Sequence, residues 1–273
     1  MRSKLGLVVA LALVVGSTAG CGDVSPRERL QGQVALTILH TSDIHSRLLP
    51  YNLQLNHFDA QLGLGEVDSI VDVGGAARMS YILQRERARA SRSLYLDSGD
   101  VFQGAPIFNY YDGEPEMRVL SAMGLDATVI GNHEFDKGGR NLAQQVQKWS
   151  NFPTLAANYW FEDPSTPGAS QVGKISQPYH IFDVDGLMVA TIGMGTLTSI
   201  TSIYEMPNSL GITPLQTAEV AQFYIDLLRP LVDVVIVISH MGLPHDHELI
   251  HHTSGIRDYL VLMEVAGKRD EDY

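Results

Sequence analysis

Short apolar runs alternate along the chain with longer stretches in which apolar residues recur every three or four positions. The runs predict β-strands at residues 34–39, 93–96, 128–130, 180–184, 187–192 and 234–238. The longer stretches predict amphipathic helices at residues 76–90, 115–123, 139–149 and 217–228. This alternation favours an α/β fold in which most strands are buried and parallel.

The first twenty residues have the pattern of an export signal. Arg2 and Lys4 precede an apolar run at residues 5–15, and small residues then lead to Cys21. This order resembles a bacterial lipoprotein signal, in which the cysteine becomes the lipidated first residue. We therefore expect a signal peptide at residues 1–20 and a protein exported to the bacterial cell envelope. It would be periplasmic or surface-exposed, with a lipid anchor in the membrane at Cys21. Ordinary signal cleavage, leaving Cys21 a free thiol, is the alternative.

The remainder of the chain divides into three parts. Residues 21–33 contain Pro26 and lack an apolar period, so they indicate a tether. We place the α/β domain at residues 34–256 and a divergent tail at residues 257–273. Within the domain, residues 47–72 have weak periodicity and several Gly and Asp residues, and are predicted to form an insertion loop.

Composition narrows the class of partner. The 273 residues are 45% hydrophobic, which is ordinary for a globular protein, and the formal net charge is −12. Since a nucleic-acid backbone is recognised by a basic surface, we expect no nucleic-acid polymer as partner. A single cysteine also excludes an intrachain disulfide.

Polar side chains follow four of the predicted strands where each strand ends. If the chain stays extended after the first strand, Asp43 and His45 lie on the same side, because strand side chains alternate. Asp100, Asn132 and His240 follow the later strands. Ligands of open α/β sheets bind beyond the carboxyl ends of the strands, so these residues are predicted to meet in one crevice. Mixed oxygen and nitrogen ligands suit Mn²⁺, Zn²⁺, iron or Co²⁺.

These motifs together resemble the calcineurin-like metallophosphoesterases, and more narrowly their 5′-nucleotidase and 2′,3′-cyclic phosphodiesterase branch. The segments that carry the resemblance are Ile38-Leu39-His40-Thr41-Ser42-Asp43-Ile44-His45, Gly74-Gly75-Ala76-Ala77-Arg78, Asp97-Ser98-Gly99-Asp100, Gly131-Asn132-His133-Glu134-Phe135-Asp136, Ala157-Asn158 and Ser239-His240-Met241-Gly242-Leu243. The resemblance implies a four-layer α/β-β/α sandwich, incomplete here at its carboxyl end.

The resemblance also implies a site with two divalent metal ions. Asp43, His45 and Asp100 would hold one ion, Asp100 would bridge to the second, and Asn132 and His240 would complete what this chain offers to that second ion. A shared carboxylate offsets the repulsion of two cations ~3.5–4 Å apart. The implied function is hydrolysis of phosphate esters, above all nucleotides, by hydroxide activated between the two ions.

His133 and Asp136 are three residues apart at a predicted helix start, where two such side chains can face each other. The resemblance assigns this pair to stabilisation of the transition state, which makes His133 and Asp136 the candidate catalytic residues. The alternative is that Asp136 caps the helix.

Two features depart from the family pattern. The sequence has no Gly-His-x-His segment, which in the family supplies one further ligand to each metal, and we expect the family's second, carboxyl-terminal nucleotidase domain to be absent. An alternative hypothesis is therefore that the chain is an inactive truncated fragment or a metal-binding lipoprotein. A third hypothesis, a zinc metalloprotease, rests on His247-Glu248-Leu249-Ile250-His251, for which the other interpretation is a solvated histidine-rich helix face.

Overall fold

The computed structural model describes residues 30, 32–61, 63–163, 170–197 and 211–254, together with the backbone of residues 259–262. The predicted signal peptide, Cys21, most of the tether and most of the tail lie outside these residues. Within the described ranges, no helix combines the length and the apolar character needed to cross a bilayer.

The described residues alternate between strands and helices, as the apolar pattern predicts. The strands are β1 (Thr37–Thr41), β2 (Tyr51–Gln54), β3 (Ile70–Val73), β4 (Ser93–Asp97), β5 (Ala127–Val129), β6 (Thr154–Leu155), β7 (Tyr159–Phe161), β8 (Ser176–Gln177), β9 (Tyr179–Val184), β10 (Leu187–Met194), β11 (Ile212–Pro214), β12 (Val234–Ser239) and β13 (Tyr259–Leu262). The α-helices are α1 (His57–Gln61), α2 (Ala76–Arg89), α3 (Pro106–Tyr111), α4 (Glu114–Met123), α5 (Gly138–Trp149), α6 (Thr217–Leu228) and α7 (Leu243–His252). Short 3-10 helices cover His133–Phe135 and Gln171–Lys174.

The strands form two main sheets. The first has the order β1-β4-β5-β6-β8, and every pairing within it is parallel. The second has the order β13-β12-β10-β9, in which only β9 is antiparallel to its neighbour. Two smaller ribbons pair β2 with β3 and β7 with β11.

Three apolar clusters show how the layers stack. Leu94, Leu96 and Val129 of the first sheet pack against Val189 and Ile236 of the second, so the two sheets face each other. The other face of the first sheet is covered by helices α2 to α5, and the other face of the second by α6 and α7. The order helix, sheet, sheet, helix confirms the predicted four-layer α/β-β/α sandwich.

Local sequence sets the ends of the helices that cover the sheets, and α4 illustrates this. Pro115 lies in its first turn, where a missing N–H costs nothing, and Gly124 ends it in a left-handed conformation with φ 76°. Its buried apolar side chains, Met117, Leu120 and Met123, are three residues apart along one face.

The prediction of an insertion loop at residues 47–72 is wrong. This segment forms an antiparallel hairpin in which Tyr51 pairs with Val73 and Gln54 with Ile70, and α1 lies between its strands. Both strands are four residues long and alternate between half-buried and exposed positions. Such short strands leave too little sequence for a period to be recognised.

The parallel pairing brings the carboxyl ends of several strands to one edge. Thr41 at the end of β1 is opposite Asp97 at the end of β4, and Asp97 is opposite Thr128 of β5. On the second sheet, the backbone N–H of His240, just after β12, donates to the carbonyl of Met194 at the end of β10. Beside β12, residues 259–262 of the predicted tail form the parallel strand β13.

Candidate metal centre

The loops after β1 and β4 run beside each other and carry three of the predicted ligands. The backbone N–H of Asp43 donates to Gly99, that of His45 to Asp100 and that of Ser46 to Val101, at 2.9–3.0 Å. The two loops therefore continue the pairing of their strands beyond the sheet edge.

The expectation that the chain stays extended after β1 is wrong. Asp43, His45 and Asp100 have φ of 52°, 49° and 53°, so the chain after β1 is turned rather than extended. A left-handed conformation costs a residue with a side chain about 1 kcal/mol. The hydrogen bonds between the two loops stabilise these strained conformations. Residues strained in this way cluster at functional sites.

Asp100 lies at the centre of the site. Its Oδ2 is 4.0 Å from Nε2 of His45, 4.0 Å from Nε2 of His133 and 3.2 Å from Nε2 of His240. Its Oδ1 accepts the backbone N–H of His133 at 2.8 Å, which fixes the rotation of the carboxylate. One buried carboxylate oxygen thus faces three imidazoles.

Each of these imidazoles uses its other nitrogen to hold its orientation. Nδ1 of His45 is 3.1 Å from the carbonyl of Gln103, and Nδ1 of His240 is 2.6 Å from the carbonyl of Ser98. Nδ1 of His133 is 2.8 Å from Oδ2 of Asp136. These acceptors favour the tautomer with hydrogen on Nδ1, in which Nε2 can act as a ligand atom, and such contacts are the usual support of a metal-binding histidine.

Asn132 and Asp43 complete the set. Oδ1 of Asn132 is 3.2 Å from Nε2 of His240, and Oδ1 of Asp43 is 3.6 Å from Nε2 of His45. All five residues proposed as metal ligands are therefore brought together.

Two overlapping groups of side chains in the described residues have the spacing of a metal site. One is Asp43, Asp100 and His240, and the other is His45, Asp100 and His133. Asp100 belongs to both groups, as expected of a bridging ligand, whereas the partition of the other side chains differs from the one that the resemblance implies.

The charges of the centre support one another. The pKa of Asp43 is lowered: burial raises it, but hydrogen bonds from His45 and Ser42 outweigh burial. The pKa of His45 is raised, first by Asp43 and against the effect of burial. Asp100 and His240 are almost completely buried, so a cation placed between them would be little screened by solvent.

Glu134 is a structural carboxylate that the sequence analysis leaves without a role. It is 3% exposed, and its two oxygens accept backbone N–H groups from the loops after β4 and β5, at 2.7–3.3 Å, namely those of Asp100, Val101, Phe102 and Gly131. Burial first, and the charge of Asp100 second, raise its pKa. Its only signal in the sequence is its place between His133 and Asp136.

Asp97 is a second buried carboxylate behind the centre. It accepts hydrogen bonds from the Thr41 hydroxyl at 2.6 Å, the Gly99 N–H at 2.9 Å and the Thr128 hydroxyl at 3.0 Å. Burial raises its pKa to about 6. Asp97 therefore ties together the ends of β1, β4 and β5, the strands that lead into the ligand loops.

The predicted pairing of His133 with Asp136 is present, and it lies at the mouth of the site. Both side chains are about one-third exposed, at 33% and 31%. Asp136 is the residue after the 3-10 helix His133–Phe135, and its carboxylate turns back to His133 instead of capping α5. The pair can thus present Nε2 of His133 to a molecule that enters from solvent.

The rival zinc-protease motif lies on α7. His247, Glu248 and His251 are exposed, as the solvated helix face requires. In the described residues, the groups with metal-site spacing are both at the centre around Asp100, so no third ligand joins these two histidines.

Comparison with known proteins agrees with this geometry. The calcineurin-like phosphoesterase family model matches residues 36–264. A 5′-nucleotidase of Vibrio cholerae is 34% identical over 251 residues, which cover 88% of this chain and 40% of that protein. A snake venom 5′-nucleotidase of Naja atra is 33% identical over 226 residues, covering 82% of this chain and 40% of that protein. The crystal structure of a 5′-nucleotidase precursor from Thermus thermophilus has a TM-score of 0.66 and 32% identity, covering 78% of this chain and 38% of that one.

The chain spans about 40% of the length of the curated relatives it matches. The matched segment contains every residue of the centre around Asp100, and the matches favour a phosphoesterase over a zinc protease. The resemblance drawn from the motifs is confirmed: the chain belongs to the calcineurin-like phosphoesterase family.

Proposed function

We propose that the chain hydrolyses phosphate esters, nucleotides in particular, at a centre that holds two divalent metal ions. The observation that supports this most is the placement of three Nε2 atoms within 4.0 Å of one carboxylate oxygen, Oδ2 of Asp100. Nearby oxygens of Asp43 and Asn132 extend the set to a size that two ions need.

The donor set fits such ions. Carboxylate, amide and imidazole ligands without thiolate suit Mn²⁺, Zn²⁺, iron and Co²⁺, and the Nδ1 contacts orient each Nε2 towards Asp100. Asp43, His45, Asp100, Asn132 and His240 would hold the ions, with Asp100 shared. When bound, two such cations would polarise phosphoryl oxygens and lower the pKa of a water molecule towards neutrality, so that hydroxide is available at neutral pH.

His133 and Asp136 would act on the phosphoryl group from the mouth of the site. The Asp136 carboxylate accepts the Nδ1 hydrogen of His133 and so orients the imidazole, whose protonated form carries a hydrogen on Nε2 as well. Nε2 of that imidazole then donates a hydrogen bond to an oxygen that gains negative charge in the transition state.

Nucleotides are the proposed substrates because the relatives that match most of this chain are 5′-nucleotidases by name. The chemistry of the centre requires only a phosphate ester, so the preference for a nucleotide is the finer part of the proposal.

The test is hydrolysis of bis-p-nitrophenyl phosphate, AMP and 2′,3′-cyclic AMP with Mn²⁺ or Zn²⁺, with metal counted in the same sample. We expect Asp100→Asn to lower turnover by at least about 10³-fold, because both ions lose their shared ligand. Asp185→Asn is the matched control, since Asp185 has a left-handed φ of 50° but is exposed at the turn between β9 and β10.

Equal turnover in the two variants would contradict the proposal. Absence of turnover in the wild-type chain, with less than one metal per chain, would instead support the inactive truncated fragment. Hydrolysis of the model ester without hydrolysis of either nucleotide would support phosphoesterase activity and contradict the proposed preference for nucleotides.

We also propose export and lipid attachment at Cys21, which lies outside the described residues. The support is the order of charge, apolar run and small residues before this cysteine. Labelling of the wild-type chain by a fatty-acid probe in a bacterial host, lost in Cys21→Ser, is the expected result. Absence of label in both would leave export by ordinary signal cleavage.

A further inference from the structure

The exposed side of α7 carries a second concentration of metal-capable residues, outside the centre around Asp100. With 100° between successive residues of a helix, one continuous arc contains His247, His251, Glu248, His252 and His245, in that order. All five are exposed, whereas Asp246 and Leu249 on the opposite arc are buried.

Within this arc, His247 and His251 form the pair best placed to share a ligand. They are four residues apart, so their side chains project from adjacent turns on the same face. In the described part of the chain, neither has a hydrogen-bond or ion-pair partner, whereas His245 lies 3.8 Å from Glu248. Binding a cation at this pair would break no existing contact.

The helix beneath the pair is firmly attached and carries negative charge. The Ser239 hydroxyl donates to the buried carboxylate of Asp246 at 2.5 Å, and the backbone N–H of Ser254 donates to the side-chain oxygen of Gln222 on α6 at 2.6 Å. Burial raises the pKa of Asp246, and the hydrogen bond from Ser239 lowers that pKa in part. A dication at the surface of α7 would meet Glu248, which lies on the same exposed arc, as a counter-charge.

We propose that His247 and His251 form a peripheral site for one transition-metal dication of the kind that imidazole binds well, such as Zn²⁺, Ni²⁺ or Cu²⁺. Two imidazoles one helical turn apart are a known geometry for such ions. Water completes the coordination, because the described residues add no third ligand at this place. The site is independent of the phosphoesterase centre and is proposed as a binding site, not a catalytic one.

The probe is immobilised Ni²⁺, which reaches exposed histidines but not buried ones. The untagged chain is compared with the double variant His247→Ala/His251→Ala and with the control His245→Ala/His252→Ala. The control removes the same number of imidazoles from the same arc but leaves the pair. We expect the pair variant to elute at about tenfold lower imidazole, and the control to elute close to the wild-type chain. Both alanine variants favour the helix, so α7 is retained.

A second readout counts Zn²⁺ per chain by equilibrium dialysis. The pair variant is expected to bind one ion fewer than the wild-type chain, and the control to bind the same number. An equal loss of retention in both double variants would overturn the pair and leave a diffuse histidine surface. No loss in either would overturn the site altogether. Because hydrolysis does not enter either readout, the result is independent of the proposed function.

Discussion

Histidines occur in two regions of the molecule that differ in how firmly they are held. At the sheet edge, His45, His133 and His240 each have Nδ1 against an acceptor and Nε2 directed at Asp100. On α7, four histidines are exposed, and one of them, His245, lies near a carboxylate.

This difference indicates that the hydrogen bonds that support the imidazoles, rather than the number of imidazoles, distinguish a catalytic centre from a surface that only binds ions. A reacting group must meet its ligands in a fixed geometry, and that geometry comes from the hydrogen bonds behind them. At the sheet edge those bonds come from Gln103, Ser98, Asp136 and Glu134, whereas the exposed histidines of α7 are held chiefly by the helix itself. Substitutions in matched pairs, one in each region, test this comparison.

The largest effect on stability is expected where the ligand loops touch. A Cβ at Gly131 would overlap Oδ1 and the backbone nitrogen of Asp100 and Oε2 of Glu134. Gly131→Ala should therefore lower the free energy of unfolding by about 3 kcal/mol.

The partner substitution is Gly242→Ala, at the start of α7. A Cβ there meets nothing within 4 Å, so only the backbone conformation, φ 84° and ψ 153° in a region that favours glycine, opposes the change, at about 2 kcal/mol. Urea unfolding of both variants measures the difference. Equal destabilisation would show that the ligand loops are no more tightly packed than the surface of α7.

The next effect compares two glutamates. Glu134→Gln replaces one acceptor oxygen by an NH₂ group that faces backbone N–H donors in a buried place, so we expect a loss of about 2 kcal/mol. Glu248→Gln, on the exposed arc of α7, should change stability by less than about 0.5 kcal/mol. The midpoints of urea unfolding of the two variants measure this difference in stability. A loss in Glu134→Gln as small as that in Glu248→Gln would mean that the four N–H contacts do not support the loops.

A smaller effect on activity is expected at the mouth of the site. Asp136→Asn keeps an oxygen for Nδ1 of His133 but replaces a charged acceptor by a neutral one, which weakens the hydrogen bond that orients the imidazole, so turnover of the phosphate ester should fall about tenfold. The turnover of His133→Gln should fall further, and the turnover of the double variant should equal that of His133→Gln alone, because both residues act through one imidazole. Additive losses would show that Asp136 acts separately from His133. In α7, Glu248→Gln removes the counter-charge of His245 and should leave turnover unchanged.

The elements and the ligand cluster could be predicted from the sequence because each rests on a strong local pattern. Long apolar runs such as residues 187–192 and 234–238 define buried strands, and polar residues directly after them must gather at one edge of parallel sheets. The site residues Asp43, Asp100 and His240 follow from that rule and from the family motifs.

The features that the sequence did not disclose depend on contacts between distant segments. Glu134 and Asp97 became supports only when the loops after β4 and β5 met, and a glutamate between two candidate residues has no pattern of its own. The left-handed turn at His45, with φ of 49°, has no clear signal in the sequence either, because histidine is enriched in this conformation but adopts it only rarely. The hairpin at β2 and β3 was missed because four-residue strands carry too little periodicity.

The smallest expected effect concerns Glu116 on α4, which contrasts with the well-supported Glu134. It is buried, and among the described residues neither of its oxygens accepts a hydrogen bond of normal geometry, although the Ser46 hydroxyl is close by. Burial raises its pKa, which the neighbouring Ser46 hydroxyl lowers in part. The folded state therefore favours the protonated carboxyl, so its contribution to stability is present at low pH and is lost as pH rises through the raised pKa.

Glu116→Gln removes this titration and keeps the size of the side chain. Relative to the wild-type chain, the variant should gain about 1 kcal/mol of unfolding free energy at pH 8, and the gain should shrink as pH falls towards 4. Glu114→Gln, on the same helix but in an exposed pair with Arg118, is the control and should show no such trend. Urea unfolding at four pH values measures it. A variant that is less stable than the wild-type chain at pH 8 would mean that Glu116 is a supported carboxylate like Glu134, and that the loops of the centre rest on two buried charges rather than one.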